Sequence, residues 1–398
     1  LKEGEYVALQ YGKTYKVDVV DNSFNFFVNS EFYKRSQVVN DGDTILISTS
    51  ETLEDLGHSC LYTRKEIGLL GGEQILLKPK NENVNANFIY YYSKFFCVEL
   101  KKYATGLKVF RFDIDDLKNI FTLSPPLQEQ TQIASYLDLK TKIIDKKIKL
   151  LQQKITHYKS YRRTLISKIV TKGLDKNVKL KDSGIDWIGK IPEHWEVIRL
   201  KEIGNIETSS VNKKIEENEA LVKLVNYVDV FNNSNKEIWN RDDYMQVSAN
   251  AKQIRNKILK QGDVLLTPSS ETIEDIGVSS VVMENLNNTL YSYHVLRLKF
   301  KKEIYLDFKK YMLNNDLVQY YFTHSATGTT RKILGLNKFY NLKVILPPAK
   351  REQQEIANFL DSKTRTIDKI ISNITSQVST LKELRKTLIN EVVTGKVK

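Results

Sequence analysis

The chain repeats itself at a distance of about 220 residues, and this repeat limits the possible folds more than any other feature of the sequence. GDTILISTSETLEDLGHS, starting at Gly42, aligns with GDVLLTPSSETIEDIGVS from Gly262, and the ATG tripeptides at Ala104 and Ala326 also align. Solenoid repeats are about 20–50 residues long, so this period indicates duplicated domains. At 398 residues the chain is long enough for two domains with separate cores.

Each copy ends in a Pro-Pro pair that is followed by a long stretch without Gly or Pro. Two prolines interrupt the preceding element and allow a helix to begin just beyond them. Apolar residues then recur in steps of three, four and seven, as in a coiled coil, and each lies 223 residues before its counterpart in the second copy. The predicted pairing seam consists of Ile133, Leu137, Ile144, Ile148, Leu151, Ile155, Ile356, Leu360, Ile367, Ile371, Ile374 and Val378.

A helix of about 42 residues is roughly 63 Å long. A single apolar stripe on such a helix needs a partner, so we expect the two stripes to pack against each other. The alternative is that each helix packs on its own globular domain. The first helix is rich in Lys and Arg, which is typical either of a solvated face or of a surface that lies near phosphates or an acidic partner.

The two globular halves mix short β-rich runs with helix-like stretches, which predicts α+β domains with a mixed sheet. We expect globular domains at residues 1–124 and 174–346 and spacer helices at 125–173 and 347–398. The strand order does not follow from the sequence. The lead-in KDSGIDWIGKIPEHWEVIRLKEIG precedes only the second domain, so we expect the first domain to lack its N-terminal segment and Leu1 not to be the native start.

The formal charge of +13 favours a polyanionic partner, because each Lys or Arg near a phosphate releases counterions. No stretch is long and apolar enough to span a membrane, which predicts a soluble, intracellular protein. The two cysteines lack the spacing of a zinc site, and no phosphate-binding or hydrolase motif occurs. The duplicated acidic run around Asp55 and Asp275 has capping-box spacing, which we favour over a metal-nuclease site. No catalytic or metal-binding residues are therefore predicted.

A glycine follows each of the two aligned Ala-Thr pairs, at Gly106 and Gly328, and permits a tight loop. The residues just beyond these glycines carry cationic and hydroxyl side chains that can reach phosphates or base edges. The alternative is a solvated surface loop. The candidate DNA contacts are Lys108, Arg111, Thr329, Thr330, Arg331 and Lys332.

PPLQEQTQIASYLDLKTKIIDKKI, PPAKREQQEIANFLDSKTRTIDKII, LRKTLINEVVTGKV and KDSGIDWIGKIPEHWEV resemble the specificity subunit of type I restriction-modification systems, and the resemblance covers essentially the whole chain. It implies two target recognition domains, each reading one half of a split, asymmetric site in double-stranded DNA. The two helices would pair antiparallel as a spacer and dock two methyltransferase subunits, and endonuclease-translocase subunits would complete the complex.

The resemblance also implies that this chain is not an enzyme and binds no cofactor. S-adenosylmethionine would belong to the partner methyltransferase, and ATP and Mg²⁺ to the partner endonuclease subunit. The expected location is the cytoplasm of a bacterium or archaeon. Two other classes remain open at this point: a chain that carries some catalysis itself, and a coiled-coil scaffold without a DNA role.

Overall fold

The computed structural model describes residues 3–396. Leu1, on which the expectation of an incomplete first domain falls, lies outside the described residues. The chain divides into two compact units: unit 1 contains residues up to 153 together with those from 374 onwards, and unit 2 contains residues 154–373. Both divisions fall inside a long helix, so each unit combines one globular domain with parts of both long helices.

The described residues of unit 1 contain ten short strands and two α-helices ahead of the first long helix. The strands are β1 (Tyr6–Leu9), β2 (Val19–Val20), β3 (Phe27–Val28), β4 (Val38–Val39), β5 (Thr44–Ile47), β6 (Thr49–Ser50), β7 (Ser59–Tyr62), β8 (Gly68–Leu70), β9 (Gln74–Leu77) and β10 (Phe110–Arg111). The helices are α1 (Tyr11–Thr14), α2 (Ala86–Leu100) and the long α3 (Leu127–Lys172), which continues into unit 2.

Two four-stranded sheets and one ribbon organise unit 1. The sheet orders are β3-β1-β8-β4 and β2-β7-β5-β9, and β10 pairs with β6. Both sheets are mixed, because β1 runs parallel to β8 and β2 parallel to β7 while the other pairs are antiparallel. Strand β5 has four fully buried residues, as expected for the centre of a sheet that is covered on both faces.

Unit 2 contains fourteen strands and a larger set of helices. The strands are β11 (Leu180–Asp182), β12 (Lys190–Pro192), β13 (Glu196–Arg199), β14 (Gly204–Glu207), β15 (Ala220–Val225), β16 (Glu237–Ile238), β17 (Met245–Ala249), β18 (Val264–Leu266), β19 (Ser269–Ser270), β20 (Ser279–Val282), β21 (Thr289–Tyr291), β22 (Leu296–Phe300), β23 (Lys332–Ile333) and β24 (Lys343–Leu346). The helices are α4 (Leu200–Ile203), α5 (Tyr227–Phe231), α6 (Ala251–Lys257), α7 (Phe308–Leu313), α8 (Asp316–Ser325), α9 (Leu336–Asn341) and the long α10 (Lys350–Val393), which ends in unit 1.

The sheets of unit 2 repeat those of unit 1. The three-stranded sheet β17-β15-β21 corresponds to β3-β1-β8, and β16-β20-β18-β22 corresponds to β2-β7-β5-β9, with β14 added at the β22 edge. The ribbon β19-β23 corresponds to β6-β10. Parallel pairing also recurs at equivalent places, between β15 and β21 and between β16 and β20. The sequence repeat is therefore a repeat of topology.

The two long helices pair antiparallel. In unit 1, Leu137 near the start of α3 lies in one core with Ile389 and Val392 near the end of α10. In unit 2, the arrangement is reversed, and Ile166 near the end of α3 lies in one core with Ile356 near the start of α10. This confirms the predicted fold class. None of the helices within residues 3–396 is long and apolar enough to cross a membrane.

Each long helix is also anchored on the globular domain that precedes it, by duplicated polar contacts. In unit 1, the Tyr91 hydroxyl donates to Asp138 on α3 at 2.7 Å. In unit 2, the Tyr311 hydroxyl donates to Asp361 on α10 at 2.5 Å. Asp138 and Asp361 occupy the same register in the two helices. The helices consequently pack on each other and on their own domains, so the two packing alternatives drawn from the sequence occur together.

Candidate nucleic-acid interface

The loop after the first ATG is a tight hairpin on a two-stranded ribbon. Thr105 and Arg111 exchange two backbone hydrogen bonds of 2.9 Å, and the second arm of the hairpin, β10, pairs with β6. Gly106 permits the turn because its φ is +111° and a Cβ there would overlap the carbonyl oxygen of Val109. Lys108 lies exposed in the same hairpin.

The Arg111 side chain lies across the ribbon. Its Nε donates to Thr49 Oγ1 at 3.3 Å, and its guanidinium is 3.7 Å from a carboxylate oxygen of Glu73. More than half of the Arg111 side chain stays exposed, so the guanidinium keeps donors available for another molecule.

The second hairpin is built in the same way in unit 2. Gly328 has a φ of +100°, and Arg331 Nε donates to Ser269 Oγ at 3.2 Å. Thr329 and Thr330 are exposed in the loop. Lys332 is half-buried, and its Nζ donates to the carbonyl oxygen of Gly328, so it closes the hairpin. Of the two cations predicted here, Arg331 is therefore the one that is free to reach outwards.

The two arginines reach equivalent hydroxyls from different positions. Thr105 bridges to Arg111 and Thr327 bridges to Ile333, so Arg111 occupies the position of Ile333 and not that of Arg331. Arg331 lies two residues earlier, on the same face, because side chains alternate along a strand. The two hairpins thus share a scaffold but place their charge differently.

A tyrosine not identified from the sequence lies beside each ribbon. Tyr11 lies beside Ser50, and Tyr227 lies beside Ser270, its counterpart in unit 2. Burial raises the pKa of both tyrosines. Each ring stacks on the aromatic residue four positions further on, at centroid distances of 5.6 and 5.2 Å. These residues add an aromatic component to each candidate interface.

We call each ribbon with its arginine, its tyrosine and the side chains beside them a ribbon cluster. One further position, also not identified from the sequence, differs between the two ribbon clusters. Glu73, between β8 and β9, lies beside Arg111, whereas its counterpart between β21 and β22 is His294. Burial lowers the pKa of His294, and the positive charges of Lys213 and Arg331 lower it further. Unit 1 therefore combines an acceptor with its arginine, while unit 2 combines an imidazole and a second cation with its arginine. Comparing the two copies position by position would have revealed this difference.

The duplicated acidic run forms a turn beside each ribbon. Thr52 Oγ1 donates to Asp55 at 2.8 Å, and Thr272 Oγ1 donates to Asp275 at 2.8 Å. In unit 1 the backbone N–H of Asp55 also donates to Thr52 Oγ1 at 3.3 Å, but no helix follows either turn, so the acidic run closes a turn and does not cap a helix. Within residues 3–396, no three His, Cys, Asp or Glu side chains come together in a way that could hold a metal ion.

The predicted seam residues all lie on buried or half-buried positions of the two helices. Leu137, Ile148, Ile356, Leu360, Ile367, Ile374 and Val378 are buried, and Ile133, Ile144, Leu151, Ile155 and Ile371 are half-buried. Ile133 and Leu137 join the core of unit 1, and Ile356 and Leu360 join that of unit 2. The lysines of α3 from Lys140 to Lys159 are exposed.

The family model of the type I restriction modification DNA specificity domain matches residues 2–157 and 192–380, and so covers both copies. The chain belongs to this family. Two curated relatives come from Methanocaldococcus jannaschii. The type I restriction enzyme MjaVIII specificity subunit is 26% identical over 403 residues, covering 100% of this chain and 87% of the relative. The putative type I restriction enzyme MjaX specificity subunit is 26% identical over 376 residues, covering 89% of this chain and 78% of the relative.

Solved structures show the same fold. A chain from a study of complex assembly and conformational transition of the type I R-M system has a TM-score of 0.67 at 14% identity, covering 91% of this chain and 84% of that one. The HsdS subunit from Thermoanaerobacter tengcongensis has a TM-score of 0.50 at 14% identity, covering 92% and 85%. The resemblance seen in the sequence is confirmed: this type I specificity protein is a DNA-recognition component and not a catalytic one.

Proposed function

We propose that each unit of this specificity protein reads one half of a split, asymmetric DNA target. The observation that carries the proposal is the pair of ribbon clusters, which share one scaffold but differ in the residues presented to solvent. Two units that read the same bases would be expected to present the same side chain at equivalent positions, whereas unit 1 has Glu73 where unit 2 has His294. Different chemistry on the same scaffold favours two different half-sites.

The chemistry of the two clusters suits base edges in the major groove. An arginine can donate two hydrogen bonds to guanine, and a carboxylate accepts from the amino group of cytosine. Unit 1 presents both groups, through Arg111 and Glu73. Unit 2 presents mainly donors, through Arg331, Lys213 and the imidazole of His294. The exposed Lys108, Thr329 and Thr330 are placed to contact the backbone of the duplex.

The paired helices would set the distance between the half-sites. The 46 residues of α3 correspond to about 69 Å at 1.5 Å per residue. A duplex rises about 3.4 Å per base pair, so the helix length would fix the number of unread base pairs. The exposed lysines of α3 provide a surface on which methyltransferase subunits can dock.

The remaining assignments complete this proposal. Two methyltransferase subunits would flip an adenine in each half-site and use S-adenosylmethionine. Endonuclease-translocase subunits would use ATP and Mg²⁺, and this chain would bind no cofactor of its own. The complex would act in the cytoplasm, where the DNA is.

The exchange of one side chain between the clusters tests this assignment. With the methyltransferase subunits present, His294→Glu should change the bases preferred in one half of the methylated motif and leave the other half unchanged. Glu73→His should change only the opposite half. Asn177→Glu adds the same charge at an exposed position of unit 2 outside the cluster and should leave the motif unchanged. Changes in both halves, or in neither, would show that these clusters do not read half-sites.

A further inference from the structure

Unit 2 contains a polar cleft of about 1120 Å³ that the reading of DNA by the ribbons does not use. The cleft lies between the second globular domain and the parts of α3 and α10 that belong to unit 2. Arg162 lines it from α3, Arg365 from α10, and Lys236 from the loop before β16. Hydroxyl and amide groups such as Thr323 and Asn235 also line the cleft. Acidic side chains lie around it as well, and Asp368 and Asp361 are already ion-paired with Arg162 and Lys310.

The equivalent position in unit 1 is occupied by an ion-paired carboxylate, that of Asp18. Asp18 immediately precedes β2 as Lys236 precedes β16, and the carbonyls of both residues accept equivalent bonds, from Leu61 N at 3.0 Å and Val281 N at 2.9 Å. The two positions are therefore structurally equivalent. The repeat has replaced an acid by a base at one point of the scaffold.

The arginine that faces this position is also duplicated. Arg385 lies 223 residues after Arg162 and pairs with Asp145 at 3.0 Å, as Arg162 pairs with Asp368 at 3.1 Å. In unit 1, Arg385 has a second acidic partner, because Asp18 lies 3.0 Å from it. In unit 2, that second carboxylate is missing.

The carboxylate of Asp18 joins two cations in unit 1. It lies 2.7 Å from Lys94 and 3.0 Å from Arg385. In unit 2, Lys236 brings a further positive charge towards Arg162 instead of a negative one. Burial lowers the pKa of Lys236, the charge of Arg162 lowers it further, and Asp275 opposes this effect. Within the described part of the chain, Lys236 makes no ion pair closer than 4.0 Å.

We propose that this cleft is an oxyanion site, in which a phosphate group lies between Lys236 and Arg162 where unit 1 has the carboxylate of Asp18. An anion bound there places a negative charge between two cations, as the carboxylate of Asp18 does in unit 1. Phosphate suits the site better than a carboxylate does, because its additional oxygens can accept from the hydroxyl and amide groups of the wall. The phosphate can belong to a free phosphorylated compound or to a duplex backbone.

The test uses the full chain and inorganic phosphate as the probe, with chloride at equal ionic strength as the reference. A ligand that binds only the folded state raises the melting temperature. Phosphate should therefore stabilise the unaltered chain more than chloride does. Lys236→Asp recreates the ion pair of unit 1 and should raise the phosphate dissociation constant at least about tenfold. Lys181→Asp makes the same charge change at an exposed residue outside the cleft and should retain phosphate binding.

A second arm measures the binding of a short duplex by the same variants over a series of salt concentrations. Loss of phosphate binding with unchanged duplex binding identifies a free phosphorylated ligand. Reduced duplex affinity, with a salt slope lower by about one, identifies a backbone phosphate. If Lys236→Asp weakens neither, the proposal is wrong. Lys236→Gln provides the same comparison if the aspartate variant does not fold. The methylation motif is determined in a separate experiment. The phosphate site can therefore be refuted without refuting the proposed function, and the reverse also holds.

Discussion

Replacement of Leu137 by alanine tests the antiparallel packing of the long helices. Leu137 on α3 is 0% exposed and lies in one core with Ile389 and Val392 of α10, whereas Leu139, two residues further on, is 59% exposed. Leucine-to-alanine changes in packed cores cost about 3–5 kcal/mol, through lost burial and the cavity that remains. Leu137→Ala should lower the free energy of unfolding by this amount. Leu139→Ala on the same helix should change it by less than about 0.5 kcal/mol.

Urea denaturation followed by circular dichroism measures both effects. A double-mutant cycle of Leu137→Ala with Val392→Ala then tests the orientation of the helices, since residues in one packed cluster show coupling of about 0.5–3 kcal/mol. Coupling is expected because the start of α3 meets the end of α10. Strict additivity, or equal losses for Leu137→Ala and Leu139→Ala, would refute this packing.

Three further predictions follow from buried groups and backbone geometry. Burial raises the pKa of Asp18, but its partners Lys94 and Arg385 outweigh burial, so that the folded pKa is lower than the unfolded value of about 3.9. The stabilisation by Asp18 is therefore present above the unfolded pKa and is lost as the pH falls through the folded pKa. Asp18→Asn should consequently reduce the loss of stability at acidic pH, as measured by urea denaturation over a series of pH values. Burial raises the pKa of the Cys60 and Cys97 thiols to about 12, so both should resist a thiol reagent until urea unfolds unit 1, and reaction in the native state would contradict this. Gly277→Ala should lower the free energy of unfolding by more than about 1 kcal/mol in thermal denaturation, because the φ of Gly277 is +78° and a Cβ would overlap the ring of Phe322. Gly184 has a φ of +71° but open space around it, so Gly184→Ala should cost less.

The sequence predicted the long helices because helical periodicity is a local signal. Leu137 and Leu360 repeat at the same register, and both are fully buried. The predicted helices of about 42 residues correspond to observed helices of 46 and 44 residues. The duplicated domains and the mixed sheets were also accessible, because the strand-rich runs around β5 and β18 are apolar and short.

The ribbon clusters could be predicted only in part. The glycine loops at Gly106 and Gly328 were visible, but β10 pairs with β6 across about 60 residues, and no local pattern encodes that pairing. Tyr11 follows β1, which pairs with β8, and Glu73 precedes β9, which pairs with β5. These pairings are also long-range, so the positions of both residues beside the ribbon emerged only in three dimensions. Alignment of the two copies does place Glu73 opposite His294, and this was the available signal.

We propose that one chain reads two unlike half-sites at a distance set by its helices. Methylome sequencing of a host that expresses the chain with its methyltransferase partner tests this most directly. We expect a methylated-adenine motif with two different specific halves, separated by a fixed number of unread base pairs. A single continuous motif, or two identical halves, would contradict it.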